Sequence, residues 1–324
     1  MATNSNQIKE KRFKDYDEMI DLLKSRNVCI DTSEQRRSAK IILQRNGYYN
    51  VINGYKIPFL ASTPPNPEEY KAGTTVNEIF AVYAFDRSIR EIFLRNILHV
   101  ETNVKNLISY RISSKYGHDN YLLYKNFDTT SRDANNKITK LFATIQNQIA
   151  SHSYDPNIAH YLKNHGYIPM WVLNSILSFG TMSKFYSLMK QQDRQYVSKI
   201  FNLQDNTLGN FLGYLTSIRN FCAHGNRLYC FTSSIPLADT KVHKNLAITQ
   251  DKGHYVNGRN DLFGAVIILR YLLSAKEYRR FISELNGAIN KLSSKLSTIS
   301  IDEILKIMGF PQNWKDVKTK NIIL

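Results

Sequence analysis

The stretch "FDRSIREIFLRNILHVETNVKNLISYRISSKYG", residues 85–117, reads as one long helix and decides the fold class. Phe85, Ile89, Ile92, Phe93, Ile97, Val100, Val104, Leu107 and Ile108 recur at three- and four-residue steps. That spacing lines one side of an α-helix with apolar groups. Upstream, Thr75 with Glu78 forms a candidate capping box, so the helix is predicted over 75–115. Its polar complement is unusually rich, with Asp86, Arg87, Arg90, Arg95, Asn96, His99 and Glu101.

Working outward, helical periodicity continues almost everywhere. Residues 14–26 and 32–45 read as short amphipathic helices, the second capped by Thr32 or Ser33 with Glu34 in its first turn. The segment "NGYYNVINGYKIPFL" follows, with turns expected at Asn46-Gly47 and Asn53-Gly54 and with Tyr48, Tyr49 and Tyr55 packing inward. Pro-rich "STPPNPEEY" (62–70) reads as a linker. It separates an N-terminal helical subdomain (1–66) from a larger helical domain (67–324). Further helices are expected at 131–152, 157–164, 170–202 with a break near Phe179-Gly180, 206–224, 260–274, 277–297 and 301–308. Trp171, Phe179 and Gly180 read as packing and bend residues. Residues 233–260 lack helical periodicity, so an irregular insertion is expected around 230–258. The sum is an all-α protein, a helical bundle with a small N-terminal helical subdomain.

Charge narrows the partners. Lys and Arg number 43 against 27 Asp and Glu, a formal net charge of +16. An excess of this size favours a polyanion, with nucleic acid ahead of an anionic membrane surface. No run approaches the roughly 20 apolar residues of a membrane span. "MATNSNQIKEKRFKDYDEM" lacks the apolar core of a signal peptide, and Cys29, Cys222 and Cys230 form no CxxC pair. A cytoplasmic protein without membrane contact is expected.

The densest polar stretch is "SIRNFCAHGNRLYC", residues 217–230. Before it, Leu208, Phe211, Leu212, Leu215, Ile218 and Cys222 mark a buried helical face, and Gly225 is a candidate stop that puts His224 at the helix end. Arg219 and His224 are five residues apart, about 140° around an ideal helix. Several chemistries fit. A histidine and arginines at the negative end of a helix dipole need no function beyond capping. A metal site would pair His224 with Cys222 or Cys230 but lacks further ligands at a recognised spacing. Cys222 lies on the apolar stripe, which suits an inert thiol. Arginine with histidine on a basic protein also suits RNA cleavage, where arginine binds the phosphate and the 2′-hydroxyl supplies the nucleophile.

"RNFCAH", Arg219 to His224, resembles the Arg-X(4–6)-His signature of HEPN ribonucleases. The chain as a whole resembles the AbiD/AbiF type of bacterial abortive-infection proteins. The resemblance is carried by "NGYYNVINGYKIPF", "FDRSIREIFLRNILHVETNVKNLISYRISSKYG", "IPMWVLNSILSFGTMSKFYSLM" and "IRNFCAHGNRLY", in that order. Asn174 departs from it where a glutamate is common, and Tyr229 stands where a tryptophan often follows. The resemblance implies a HEPN-like helical bundle acting as an anti-phage or toxin endoribonuclease without a cofactor or metal. It implies a homodimer with two facing motifs and RNA as substrate, with a structured non-coding RNA antitoxin as a possible second partner. Arg219, Asn220, His224 and Glu101 would be its catalytic residues. Arg227, Asn226, Arg95, Arg90 and Arg87 would contact RNA. A non-catalytic RNA-binding or sensing protein is the alternative.

Overall fold

Helix α3 (Val76–Tyr116) runs unbroken for 41 residues in the computed structural model, which describes residues 12–62 and 66–318. At 1.5 Å per residue it is about 62 Å long. The predicted capping box starts it. Thr75 Oγ1 accepts from the Glu78 N–H at 3.2 Å, and Glu78 Oε2 accepts from the Thr75 N–H at 3.3 Å. Ile89, Phe93, Ile97, Val100, Val104, Ile108 and Ile112 are buried along one stripe, as the periodicity requires.

The other helices, in chain order, are α1 (Tyr16–Ser25), α2 (Ser33–Asn46), α4 (Ala134–Ser151), α5 (Pro156–His165), α6 (Met170–Ile176) and α7 (Phe179–Leu188). Then come α8 (Gln191–Lys199), α9 (Asp205–Ala223), α10 (Lys241–Asn245), α11 (Leu262–Leu272), α12 (Ala275–Ser293) and α13 (Ile301–Ile307). A two-residue hairpin, β1 (Gln250–Asp251) with β2 (His254–Tyr255), is the sheet found among the described residues. The protein is all-α.

The chain forms two compact units. One comprises the described residues up to Arg87 with Ala288–Ile304, the other Ser88–Gly287 with the described residues from Leu305 onward. The Pro-rich stretch read as a linker falls inside the first unit, and its residues 63–65 lie outside the described residues.

In the first unit, Asp15 with Glu18 and Thr32 with Gln35 box the starts of α1 and α2. Arg36 and Lys40 of α2 reach Asp17 and Asp21 of α1 at 2.6–3.1 Å. The buried Glu78 carboxylate also accepts the backbone N–H groups of Ser297 and Thr298, each at 2.7 Å. Burial alone would raise its pKa, but these hydrogen bonds prevail and hold it below the usual carboxylate value. Gly47 makes the expected turn at φ +78. Asn53-Gly54 does not, because Tyr49–Asn53 winds as a π-helical stretch that buries Val51 and Ile52. Tyr55 is buried, its hydroxyl donating to Asp86 at 2.7 Å, whereas Tyr49 is exposed and does not pack.

In the second unit α9 packs against α7, α8 and α11. Every residue of α11 from Leu262 to Leu269 is buried, as befits a helix apolar all round. The helix expected over 170–202 with one break near Phe179-Gly180 is three helices, with two breaks. The chain breaks at Leu177-Ser178, where Ser178 Oγ caps the Thr181 N–H, and again at Met189-Lys190. Leu177 and Met189 are both buried at these corners, so breaking the helix lets all three pieces face the core. Asp193, fully buried on α8, accepts from Arg111 Nε and Lys115 Nζ at 2.8 Å and from Tyr116 Oη at 2.6 Å. Burial pushes its pKa up, and the three donors more than offset that, leaving it lowered.

The stretch expected to be irregular holds α10 and the hairpin. Lys252 (φ +47) and Gly253 (φ +77) supply the two left-handed residues of a tight primed turn. Leu237, Val242, His243, Leu246 and Ile248 are buried, so this insertion has its own core contacts.

Candidate active site

Helix α9 ends at Ala223, with His224 as its cap residue. Gly225 takes φ +69 and donates to the Cys222 carbonyl at 3.2 Å, while Asn226 donates to the Phe221 carbonyl at 3.0 Å. These two bonds make a Schellman motif, which satisfies the last carbonyls and turns the chain sharply. The chain is then pinned back. Leu228 and Tyr229 are buried, and Phe231 packs edge-on against Phe221 with ring centroids 5.1 Å apart. Between these anchors His224, Gly225, Asn226 and Arg227 stand exposed. Capping by the glycine turn therefore accounts for two of the last carbonyls of the helix. Cys222 is buried on the apolar stripe, as its spacing indicated.

One turn earlier, Arg219 points to α3. Its Nε lies 3.5 Å from Glu101 Oε2, and Lys105 Nζ lies 2.7 Å from Glu101 Oε1. The Glu101 side chain is 8% exposed, that of Arg219 32%. A nearly buried carboxylate is thus flanked by two cations, one of them with a side chain about one-third exposed. Among the described residues the Arg219 amino groups make no hydrogen bond, which leaves that fork available to an anion. His224 likewise makes no side-chain bond among the described residues, so its imidazole is available at the surface. Asn220 is exposed, and its carbonyl accepts the His224 N–H at 3.0 Å.

Of the residues expected to bind RNA, Arg90 is brought to the same helix end, donating to the Asn226 carbonyl at 3.1 Å. Arg95 is instead ion-paired with Glu284 of α12, and Arg87 lies exposed in the first unit. Asn174 is buried and donates to Asn106 of α3 at 3.1 Å. Trp171 does not pack: it is 53% exposed. Lys105 was missed by sequence reading, although its i, i+4 spacing from Glu101 was a usable signal. No group of three or more His, Cys, Asp or Glu side chains among the described residues is arranged to hold a metal ion. No helix among them is long and apolar enough to cross a membrane.

No curated protein and no solved structure matches the chain. A family model described as Abi-like protein matches residues 41–230, a span that includes α3, the Glu101–Arg219 pair and the whole turn after α9. With more than half of its length covered by that match, the chain belongs to the Abi-like protein family.

Proposed function

We propose that this protein is an abortive-infection endoribonuclease of HEPN type, cutting RNA by attack of the 2′-hydroxyl on the adjacent phosphate. His224 takes the 2′-hydroxyl proton as that oxygen bonds to phosphorus, or returns a proton to the 5′-oxygen as its bond to phosphorus breaks. Arg219 binds the non-bridging oxygens and stabilises the charge that grows on them. Asn220 orients the histidine or the phosphate. Glu101 touches neither, and acts by holding Arg219. Arg90, Asn226 and Arg227 line the approach. The products carry a 2′,3′-cyclic phosphate and a 5′-hydroxyl, and the nucleophile within the RNA makes a metal unnecessary. A homodimer supplies two such histidines, one for each proton transfer. A structured RNA antitoxin would suit the net charge of +16.

The observation that carries this reading is that the last turns and the cap of one helix carry both a Glu101-anchored Arg219 and an exposed, uncommitted His224. Purified protein incubated with total RNA in EDTA tests it. The parent chain is expected to cut, and His224→Ala and Arg219→Ala to lose roughly 100-fold or more of the rate. Intact RNA after prolonged incubation, with tight salt-sensitive binding, would assign the chain to the non-catalytic RNA binders instead.

A further inference from the structure

The second unit carries a ribbon of surface rings, all exposed but half-buried Tyr161, that the Arg219–His224 site does not use. It runs from Trp171 to His118 (centroids 6.3 Å apart), to Tyr167 (5.0 Å), to His165 (6.3 Å) and to Tyr161 (5.1 Å), with His160 beside the last two. Trp171 is 53% and Tyr167 36% exposed, and the three histidines are exposed as well. Aromatic side chains gathered at a surface are unusual, because burying them is worth more than leaving them wet.

The backbone that presents them is tightly held. The Met170 N–H donates to the His118 carbonyl at 3.1 Å, tying the chain after α3 to the start of α6 and so setting His118 beside Trp171. Buried Tyr121 donates its hydroxyl to the Ile168 carbonyl at 2.7 Å. Gly166, at φ +77, ends α5 and turns Tyr167 back towards His118. The backbone segments that carry the rings are thus held in place, and every ring but half-buried Tyr161 is exposed. Lys163, in the last turn of α5 with His165, adds positive charge at one end.

We propose that this ribbon is a stacking track for unpaired RNA bases, so that the substrate is RNA with a single-stranded stretch. The proposal rests on the reading of the chain as an RNA-cleaving protein and names the form of RNA it takes. Flat rings 5.0–6.3 Å apart on a chain of net charge +16 suit a strand that offers both base faces and phosphates. Duplex RNA keeps its bases stacked on one another and has no face to offer. The track is a site apart from the cleavage residues. Tyr116, at the end of α3 next to His118, stands fifteen residues beyond Glu101 on that helix, about 22 Å along its axis.

The test uses the full chain carrying His224→Ala, titrated with fluorescein-labelled oligouridine and with the same oligomer annealed to oligoadenine. Binding is read by anisotropy and by protein fluorescence. Trp314 is 2% exposed, so quenching on binding reports Trp171. The single strand should quench that emission, and Trp171→Ala and Tyr167→Ala should each weaken its binding roughly 5- to 150-fold. Trp171→Phe should recover most of the loss, with duplex binding the same in every variant. Equal affinity for single strand and duplex, unquenched emission, or alanine variants that bind like the parent would each overturn the track. So would variants that dissociate a dimer while binding RNA normally, which would make the ribbon an interface between copies. Cleavage by chains with His224 intact is scored separately. Cutting without track-dependent binding removes the track and keeps the nuclease; track-dependent binding without cutting does the reverse.

Discussion

Glu101 and Arg219 should be energetically coupled, and a double-mutant cycle can measure the coupling directly. The perturbations are Glu101→Gln, which keeps shape and removes charge, and Arg219→Gln. At 3.5 Å and an effective dielectric of about 20, the attraction between the two charges is about 5 kcal/mol. Arg219 is one-third open to water and Glu101 has been desolvated, so most of that is screened or already spent. A coupling of about 1–2 kcal/mol should survive in urea unfolding. Lys105, 2.7 Å from Glu101, loses its partner in both legs that carry Glu101→Gln, so its contribution cancels. The same four proteins assayed for RNA cleavage separate positioning from stability. Glu101→Gln should slow the parent about tenfold or more, yet change little once Arg219 is gone. If the two substitutions add within about 0.5 kcal/mol in stability and multiply in rate, Glu101 does not act through Arg219.

Other outcomes follow from single groups. Gly225→Ala puts a side chain where φ is +69 with nothing within 4 Å, so only backbone strain applies. Calorimetry should show a loss of about 1 kcal/mol, with a smaller one for Gly225→Asn, and cleavage should fall further than stability as His224 shifts. Asp193→Asn should cost about 3 kcal/mol at neutral pH, because it removes the charge that three donors satisfy. Its lowered pKa means that this stability is present above the ordinary aspartate value and is lost as pH falls through the folded one, so the variant should flatten the acid limb of a stability profile. Asp261 has the opposite sign. Burial pushes it from 3.8 up to about 7 despite hydrogen bonds from the Gly258 and Gly264 N–H groups. The folded protein therefore holds a proton that the unfolded chain releases, and stability should decline by about 4 kcal/mol between those pH values. Asp261→Asn keeps the cap of α11 and should abolish that decline in urea titrations at stepped pH.

Much of the fold was legible because its signals act over one or two helical turns. The apolar period of α3, the Thr75–Glu78 box and the Gly225 stop are local, and each appears where the spacing put it. The errors share a cause. Turn-type residues at 48–55 and helical periodicity at 170–202 do not carry the information of where a helix winds or bends to bury more surface. Asn53-Gly54 winds as part of a helical stretch instead of a turn, the break expected near Phe179-Gly180 falls just before it at Leu177-Ser178, and the second break at Met189-Lys190 has no counterpart in the sequence reading. Trp171 looked like core because an indole normally is, and only its surroundings reveal that it faces water.

The sequence by itself determined that this chain is helical, that α3 and α9 each bury one face, and that His224 sits at a glycine-stopped helix end. Hydrogen bonds and side-chain spacing within a helix dictate those features without reference to distant residues. Only tertiary packing decided that Glu101 meets Arg219, that Arg95 is occupied by Glu284 while Arg90 reaches the carbonyl of Asn226, and that Trp171 joins His118 at the surface. Such pairs join residues far apart in the chain. Which cation a carboxylate finds depends on how helices lie against one another, and no local period records that.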